Sequence, residues 1–467
     1  MRSKKIGDAQ TRGLRHKGNS KRKMTGIITF GILLIVLVGA VLLMLPISSA
    51  DRTFTDPLTA FFTATSATCV TGLVTVDTAT HWSVFGQLVI LLMIQIGGLG
   101  FMTMTVLMSL LIRRAISPKE RMLVAMSYNL NSFDSTLELV RRIVIGTFSF
   151  ELLGAIALST QFIPRFGWLD GIFKSIFHSV SAFCNAGFDL LGKAGGEFSS
   201  VTMFKSNPVV MITLMLLIII GGIGFLVWSD IVNFISKKKR MSVYSKFVLT
   251  ITSVLLIGGT IIFLVAEYNN PKTLGELPFG EKLLCAAFQS TTLRTAGFAS
   301  IDNAVMTDVS KFTSILFMFI GGASGSTAGG VKVGTIGILL FSVWNAAIGK
   351  RDTVVYKRRI SPESFMRATA VITVQLIMIV VSTAILIMDT PEGTDIVALV
   401  YESASAIGTV GLSLNMTPYL NPLSHIVIMC LMYFGRVGIL SITFSVMVNL
   451  SESRSSITYP DANMLVG

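Results

Sequence analysis

Gly72, Gly187, Gly297 and Gly411 follow one another at spacings of 115, 110 and 114 residues. Each closes a similar stretch: "FFTATSATCVTG" from Phe61, "IFHSVSAFCNAG" from Ile176, "AFQSTTLRTAG" from Ala287 and "YESASAIGTVG" from Tyr401. A short run dotted with Ser and Thr leads through three residues to the glycine, and Leu or Phe follows. These stretches hold no carboxylate pair and no His or Cys cluster, so their chemistry belongs to the backbone. A ring of carbonyl oxygens can replace the hydration water of a cation without setting a fixed charge in apolar surroundings. Aiming successive carbonyls inward strains the chain, and a glycine at positive φ relieves that strain.

The elements that must position such loops are apolar helices. The chain of 467 residues is 52% hydrophobic and 13% charged, against about 25% charged in soluble domains. A spanning helix needs roughly 20 apolar residues. Segments 25–47, 84–112, 143–163, 208–229, 247–266, 312–349, 368–388 and 421–448 qualify. The first is too long for the apolar core of a cleaved signal, about 7–15 residues. A second marker lies in every other span: "GGLGF" from Gly97, "GGIGF" from Gly221, "GGASG" from Gly321 and "GRVGI" from Gly435. Two markers in register over four units predict an all-α membrane protein of four tandem span, re-entrant loop, span units. The even number of crossings gives all units one orientation about a central axis. Non-helical backbone at membrane depth survives only when buried by protein or lining water, so the four loops should converge on one pseudo-fourfold pore. The short helix before each loop turns its negative end toward that pore.

Alternating the eight spans places 27 of the 38 Lys and Arg on the side that holds the N-tail, 113–142, 230–246, 350–367 and 449–467. This positive-inside bias puts both termini in the cytoplasm. It also accounts for the net charge of +13 without nucleic acid as a partner. The expected organisation is a basic tail 1–24, units 25–115, 137–236, 244–349 and 366–450, and a C-tail 451–467. Cys69, Cys184, Cys285 and Cys430 show no paired spacing, so neither a disulfide framework nor a zinc site is expected. A symporter of inverted repeats, a membrane enzyme with clustered His or carboxylates, a one-loop tetrameric channel and an Arg-rich voltage sensor each demand features this chain does not carry.

The four loops, the paired glycines in the second spans and "GGASGSTAGGVK" from Gly321 resemble the Ktr/Trk/HKT family of potassium-translocating membrane subunits. The similarity covers residues 25 to about 450. With some 24 residues before the first span, it leans to the KtrB branch of that family. The resemblance implies potassium uptake through a selectivity filter in the cell membrane, with no enzymatic activity. Potassium would be held by Val70, Thr71 and Gly72, by Asn185, Ala186 and Gly187, by Thr295, Ala296 and Gly297, and by Thr409, Val410 and Gly411. Members of that family with serine in place of the first filter glycine tend to favour sodium, so the resemblance makes Gly72 an argument for potassium. A sodium-permeable or sodium-coupled transporter of the same architecture is the alternative. The resemblance also implies a homodimer and a cytosolic KtrA-like partner of nucleotide-binding RCK domains. A nucleotide would act only through that subunit.

Ionisable residues inside spans are functional candidates by default. Arg436 takes the place held by Gly98, Gly222 and Gly322 in the other units, and the resemblance makes it a barrier below the filter. Segment 312–349 is too long for one span. Its run Gly321, Gly322, Ala323, Ser324, Gly325, Ser326, Thr327, Ala328, Gly329 and Gly330 makes a poor helix, since each glycine costs about 1 kcal/mol against Ala. A helix broken at mid-membrane is expected, and the resemblance makes the loop over 321–334 an intramembrane gate with Lys332 at its cytoplasmic end. Arg294 should turn behind the filter toward a carboxylate, with Glu402 as the candidate partner. Glu151 and His178 read as satisfied packing residues.

Overall fold

The computed structural model describes residues 29–100, 136–237, 240–350, 352–356 and 358–438. The basic tail 1–24, most of the loop 113–142 and the C-tail 451–467 lie outside the described residues. The first unit comprises α1 (Thr29–Met44), α2 (Pro57–Thr68) and α3 (Val84–Leu99). The second comprises α4 (Thr136–Phe166), α5 (Trp168–Phe183), α6 (Pro208–Gly222) and α7 (Phe225–Lys237). The third holds α8 (Val243–Glu267), α9 (Phe279–Thr292), α10 (Asp308–Phe319) and α11 (Val333–Ala347), and the fourth α12 (Pro362–Asp389), α13 (Ile396–Gly408) and α14 (Pro422–Val437). A two-residue hairpin, β1 (Val354–Val355) with β2 (Arg358–Arg359), joins α11 to α12.

The helix starts follow from local chemistry. Asp56-Pro57, Asn207-Pro208, Ser361-Pro362 and Asn421-Pro422 each precede a helix. Proline costs nothing at the first helical position because its missing N–H would be unbonded there anyway. The Asp56 carboxylate accepts from the Thr59 amide at 3.1 Å, and Asn207 Oδ1 from Val209 at 3.0 Å, each satisfying an orphan donor.

Among the described residues, three helices, Val140–Phe166, Val243–Glu267 and Pro362–Asp389, are long and apolar enough to cross a membrane alone, while α1, α3, α11, α13 and α14 are shorter apolar helices. Buried hydroxyls sit within an apolar core, while large aliphatic side chains also face outward. Ser66, Ser181, Thr292 and Ser405 are wholly buried, whereas Ile257 of α8 and Val380 of α12 are 62% and 67% exposed. In water such outward aliphatic side chains would be costly; a bilayer as solvent removes that cost.

Two expected spans are not single helices. Segment 312–349 divides into α10 and α11, with Ile320 to Lys332 non-helical and Ile320 paired to Val331 as a parallel bridge. The break expected from its glycines is there. Segment 208–229, expected as one span, is instead bent by 98° between α6 and α7. The chain turns at Gly224, with φ of +93°, and the α7 amide of Phe225 donates to the Gly325 carbonyl at 2.8 Å. The bend is therefore built around the loop of the third unit, which a continuous apolar run does not reveal.

Candidate functional site

The four loops begin as helix C-caps. In the first, the Val70 amide donates to Ala67 O at 3.2 Å and Thr71 to Ser66 O at 2.8 Å. Asn185 and Ala186 repeat the pair with Ala182 and Ser181, at 3.1 and 2.8 Å, and Thr409 and Val410 with Ala406 and Ser405, at the same distances. This is the Schellman arrangement, which needs a left-handed residue directly after the helix, usually glycine. Here Val70, Asn185 and Thr409 occupy it, at φ of 56°, 59° and 51°; in the third loop Thr295 is likewise left-handed at 67°, but the Ala296 amide donates to Thr292 O at 2.9 Å instead. Such a conformation in a non-glycine residue costs about 1–3 kcal/mol and persists only where its surroundings enforce it. Sequence reasoning missed this feature, because Val and Thr carry no left-handed tendency; only Asn185 hinted at it.

Two residues later come the glycines, at φ of +97°, +70°, +80° and +92° for Gly72, Gly187, Gly297 and Gly411. A Cβ on Gly72 would stand 2.5 Å from the Ala186 carbonyl oxygen, one on Gly187 2.8 Å from that of Ala296, and one on Gly297 2.5 Å from that of Val410. A Cβ on Gly411 would collide with the Thr71 oxygen. Each glycine thus lies against the carbonyl preceding the next unit's glycine, and the fourth returns to the first. The side chains of Val70, Thr71, Asn185, Ala186, Thr295, Ala296, Thr409 and Val410 are all buried, so the centre of the ring is backbone. Ser66 Oγ and Ser405 Oγ accept from the amides of Gly72 and Gly411 at 3.0 and 3.1 Å, while Ser181 and Thr292 donate to the carbonyls of Phe188 and Phe298 at 2.7 Å. The hydroxyls that dot these stretches hold the loops.

All four glycines open onto one cavity of about 500 Å³, whose walls include Asp77, Asp189, Glu197 and Asp302. Burial pushes the Asp189 carboxyl up to about 7, countered in part by the Leu191 amide. Behind the loops, Gly97, Gly221 and Gly435 lie against the last carbonyls of three pore helices, those of Thr68, Phe183 and Ile407. Gly321 of the third unit instead meets Gly329, because its helix has already ended.

The loop from Gly321 to Gly330 is packed among three units. Gly321 N donates to Val331 O at 2.9 Å, Val333 N to Gly322 O at 3.0 Å, and Ala323 N to Gly222 O at 2.9 Å. Tyr244 Oη donates to Ser324 O at 3.2 Å, Ser326 Oγ to Ala323 O at 2.7 Å, and Thr327 Oγ1 to Phe183 O at 3.2 Å. Gly325 receives the Phe225 amide, and a Cβ on Gly330 would reach Gly408 O at 3.1 Å. Lys332 Nζ turns back on the loop, donating to Ala328 O at 2.7 Å and Gly329 O at 3.2 Å. Arg436 donates to the carbonyls of Thr327 and Gly97, and to Gly98 O at 3.3 Å. It ties the third unit's loop to α3 of the first unit.

The expected pair of Arg294 and Glu402 is not formed. Arg294 is buried, and its Nη2 donates to Thr252 Oγ1 of α8 at 3.3 Å. Glu402 accepts the hydroxyls of Ser413 and Thr417, the latter at 2.8 Å. The two side chains serve different units, Arg294 turning toward α8 and Glu402 toward its own loop. Glu151 is buried and takes the Gln95 amide at 3.0 Å. His178 is buried between Lys174 O, at 2.7 Å, and the Leu190 amide, at 3.4 Å. Cys69 and Cys184 are fully buried at equivalent places behind the ring. Among the described residues, no cluster of His, Cys, Asp and Glu could hold a metal ion.

Apolar helices facing outward around a buried ring of glycine loops define a polytopic membrane protein with a backbone-lined centre. The family model TrkH, cation transport protein, matches residues 8–457, and the chain belongs to that family. It is 40% identical to the potassium/sodium uptake protein NtpJ of Enterococcus hirae, over 94% of this chain and 96% of the relative. It is 39% identical to the Ktr system potassium uptake protein B of Bacillus subtilis, over 94% and 96%. Among solved structures, the potassium transporter TrkH of Vibrio parahaemolyticus superposes with a TM-score of 0.66 at 19% identity, over 91% of this chain and 85% of that one. That likeness supports the helical fold.

Proposed function

We propose that this chain takes up potassium across the cell membrane through a carbonyl filter. The carrying observation is the ring in which Gly72, Gly187, Gly297 and Gly411 each meet the next unit's carbonyl and the fourth closes on the first. In this reading eight spans and four re-entrant loops surround the pore, both termini are cytoplasmic, and the acidic cavity is the outer mouth. A potassium ion sheds water there and is held by the carbonyls around residues 70–72, 185–187, 295–297 and 409–411. The C-terminal ends of α2, α5, α9 and α13 add favourable potential.

Below the ring, residues 321–330 close the path, held by Lys332 and by Arg436, whose charge opposes the passing ion. A cytosolic RCK-type subunit, binding nucleotide, would bias the loop from the basic inner face, and two copies of this chain would form the membrane unit. The names of the relatives support potassium as the substrate. A second reading, in which sodium also permeates or drives uptake, is favoured by the printed name of the E. hirae relative.

The test is growth and ion uptake by cells lacking their own potassium uptake. Expression of this chain with an RCK partner should restore potassium uptake at low external potassium. Sodium uptake alongside potassium, or potassium uptake that requires external sodium, would favour the second reading, and sodium uptake without potassium uptake would contradict the first.

A further inference from the structure

Two of the four pore helices carry an ionisable side chain at the same register. His178 stands nine residues before Gly187, and Glu402 nine before Gly411. The equivalent positions in the first and third units hold Thr63 and Phe288. Because the ring runs first, second, third, fourth and back to the first, His178 and Glu402 belong to units facing each other across it.

Both reach past the glycine of their own loop. The Leu190 amide, three residues beyond Gly187, donates to His178 Nε2 at 3.4 Å, while His178 Nδ1 faces the Lys174 carbonyl at 2.7 Å. A donor on one side and an acceptor on the other define a neutral imidazole protonated at Nδ1. The His178 ring also stacks on Phe298, the residue after Gly297, with centroids 6.3 Å apart and planes at 28°. Glu402 takes the hydroxyls of Ser413 and Thr417, two and six residues beyond Gly411, and the Ser413 hydroxyl in turn accepts the Met416 amide at 3.1 Å. His425 of α14 faces the Thr417 carbonyl at 2.9 Å. In the first unit the Thr63 hydroxyl is buried and makes no hydrogen bond among the described residues.

We infer that His178 and Glu402 are positioning residues for ion discrimination, tying the strand beyond the glycine to its own pore helix in two opposite units. This rests on the carbonyl ring being the filter. Discrimination between ions of different size needs the carbonyls held at a set spacing or with a set field strength. The two ties hold one diagonal of the ring from outside, where a freed strand would let the carbonyls draw in around a smaller ion.

The experiment measures sodium competition against potassium uptake in cells carrying equal amounts of inserted protein. Glu402→Ala and His178→Ala should each lower the preference for potassium by roughly fivefold or more, a change worth about 1 kcal/mol. Maximal potassium uptake should be retained. Glu402→Gln should recover part of the preference, because its amide oxygen still accepts a hydroxyl. Ser413→Ala, which removes a donor at the loop and leaves the helix intact, should shift the preference in the same direction. Thr63→Val should leave it unchanged. Gly411→Ser serves as the reference for the ring itself. If Gly411→Ser changes the preference and the Glu402, His178 and Ser413 variants do not, the positioning role is wrong while the filter stands. If Gly411→Ser has no effect either, the filter reading has failed. Loss of maximal uptake at unchanged preference would mark both residues as structural only and overturn the inference.

Discussion

Gly411 packs against the carbonyl of Thr71, so the last loop in the chain closes on the first. No side chain intervenes, because glycine alone fits beside another backbone at φ of +92°. This contact turns four similar loops into a ring, and the positions of the surrounding residues lead to separable predictions.

Arg436 joins the loop carbonyl of Thr327 to Gly97 and Gly98. Hydrogen bonds to a charged group contribute about 1.5–3 kcal/mol, so Arg436→Ala should loosen the loop and remove a repelling charge. Basal potassium uptake without the cytosolic partner should rise several-fold. Equal affinity and equal maximal velocity in variant and parent would speak against a pore-facing role.

Residues 323–329 pack against Gly221, Gly222, Phe225 and Thr409 of the second and fourth units, and the proposed reading makes them the gate. Deleting Ala323 to Gly329 should leave the glycine ring intact and the path open. Uptake should become fast and independent of the partner subunit. A deletion variant that is correctly inserted yet still needs its partner would remove the loop from the gate.

Arg294 is buried with one hydroxyl partner, and its Nε has none among the described residues. Replacing a poorly compensated buried charge by an apolar side chain of similar length is often neutral or stabilising, by about 1–4 kcal/mol. Arg294→Met should therefore keep or raise the thermal unfolding midpoint in detergent. A marked fall would mean that the guanidinium holds the loop together.

Asp189 lies in the loop beyond Gly187, and its raised value of about 7 sets a window. Above it the carboxylate adds to the negative field of the cavity formed with Asp77, Glu197 and Asp302; below it the group is neutral and that contribution is lost. Focusing of cations should weaken accordingly, so apparent potassium affinity should fall roughly two- to fivefold from about pH 8 to about pH 6. Asp189→Asn should flatten that part of the profile; an unchanged slope would assign the effect to another group.

The fourfold recurrence of the loop glycines was readable because their markers recur in register, and the structure brings the four glycines into one ring. The break in 312–349 was readable from length and small residues, since Gly321 to Gly330 cannot sustain a helix. The bend at Gly224 was not, because α6 and α7 together read as one apolar run and the turn depends on Ser324 and Gly325 from another unit. Glu402 was assigned the wrong partner for a related reason. Composition shows that a buried carboxylate needs donors, but two hydroxyls on its own loop satisfy it as well as a guanidinium would. The left-handed Val70 and Thr409 left no trace in residue type, being imposed by the ring around them.

Ion competition in a Gly72→Ser variant tests the carbonyl ring most directly. The serine would have to adopt φ near +97°, with its Cβ 2.5 Å from the Ala186 oxygen, a strain of about 1–3 kcal/mol that the ring must absorb by shifting. Potassium uptake measured against rising sodium should show a preference for potassium lowered roughly five- to thirtyfold, with the protein inserted at parental levels. An unchanged preference in a well-inserted variant would contradict the assignment of Gly72, and with it the ring, to the filter.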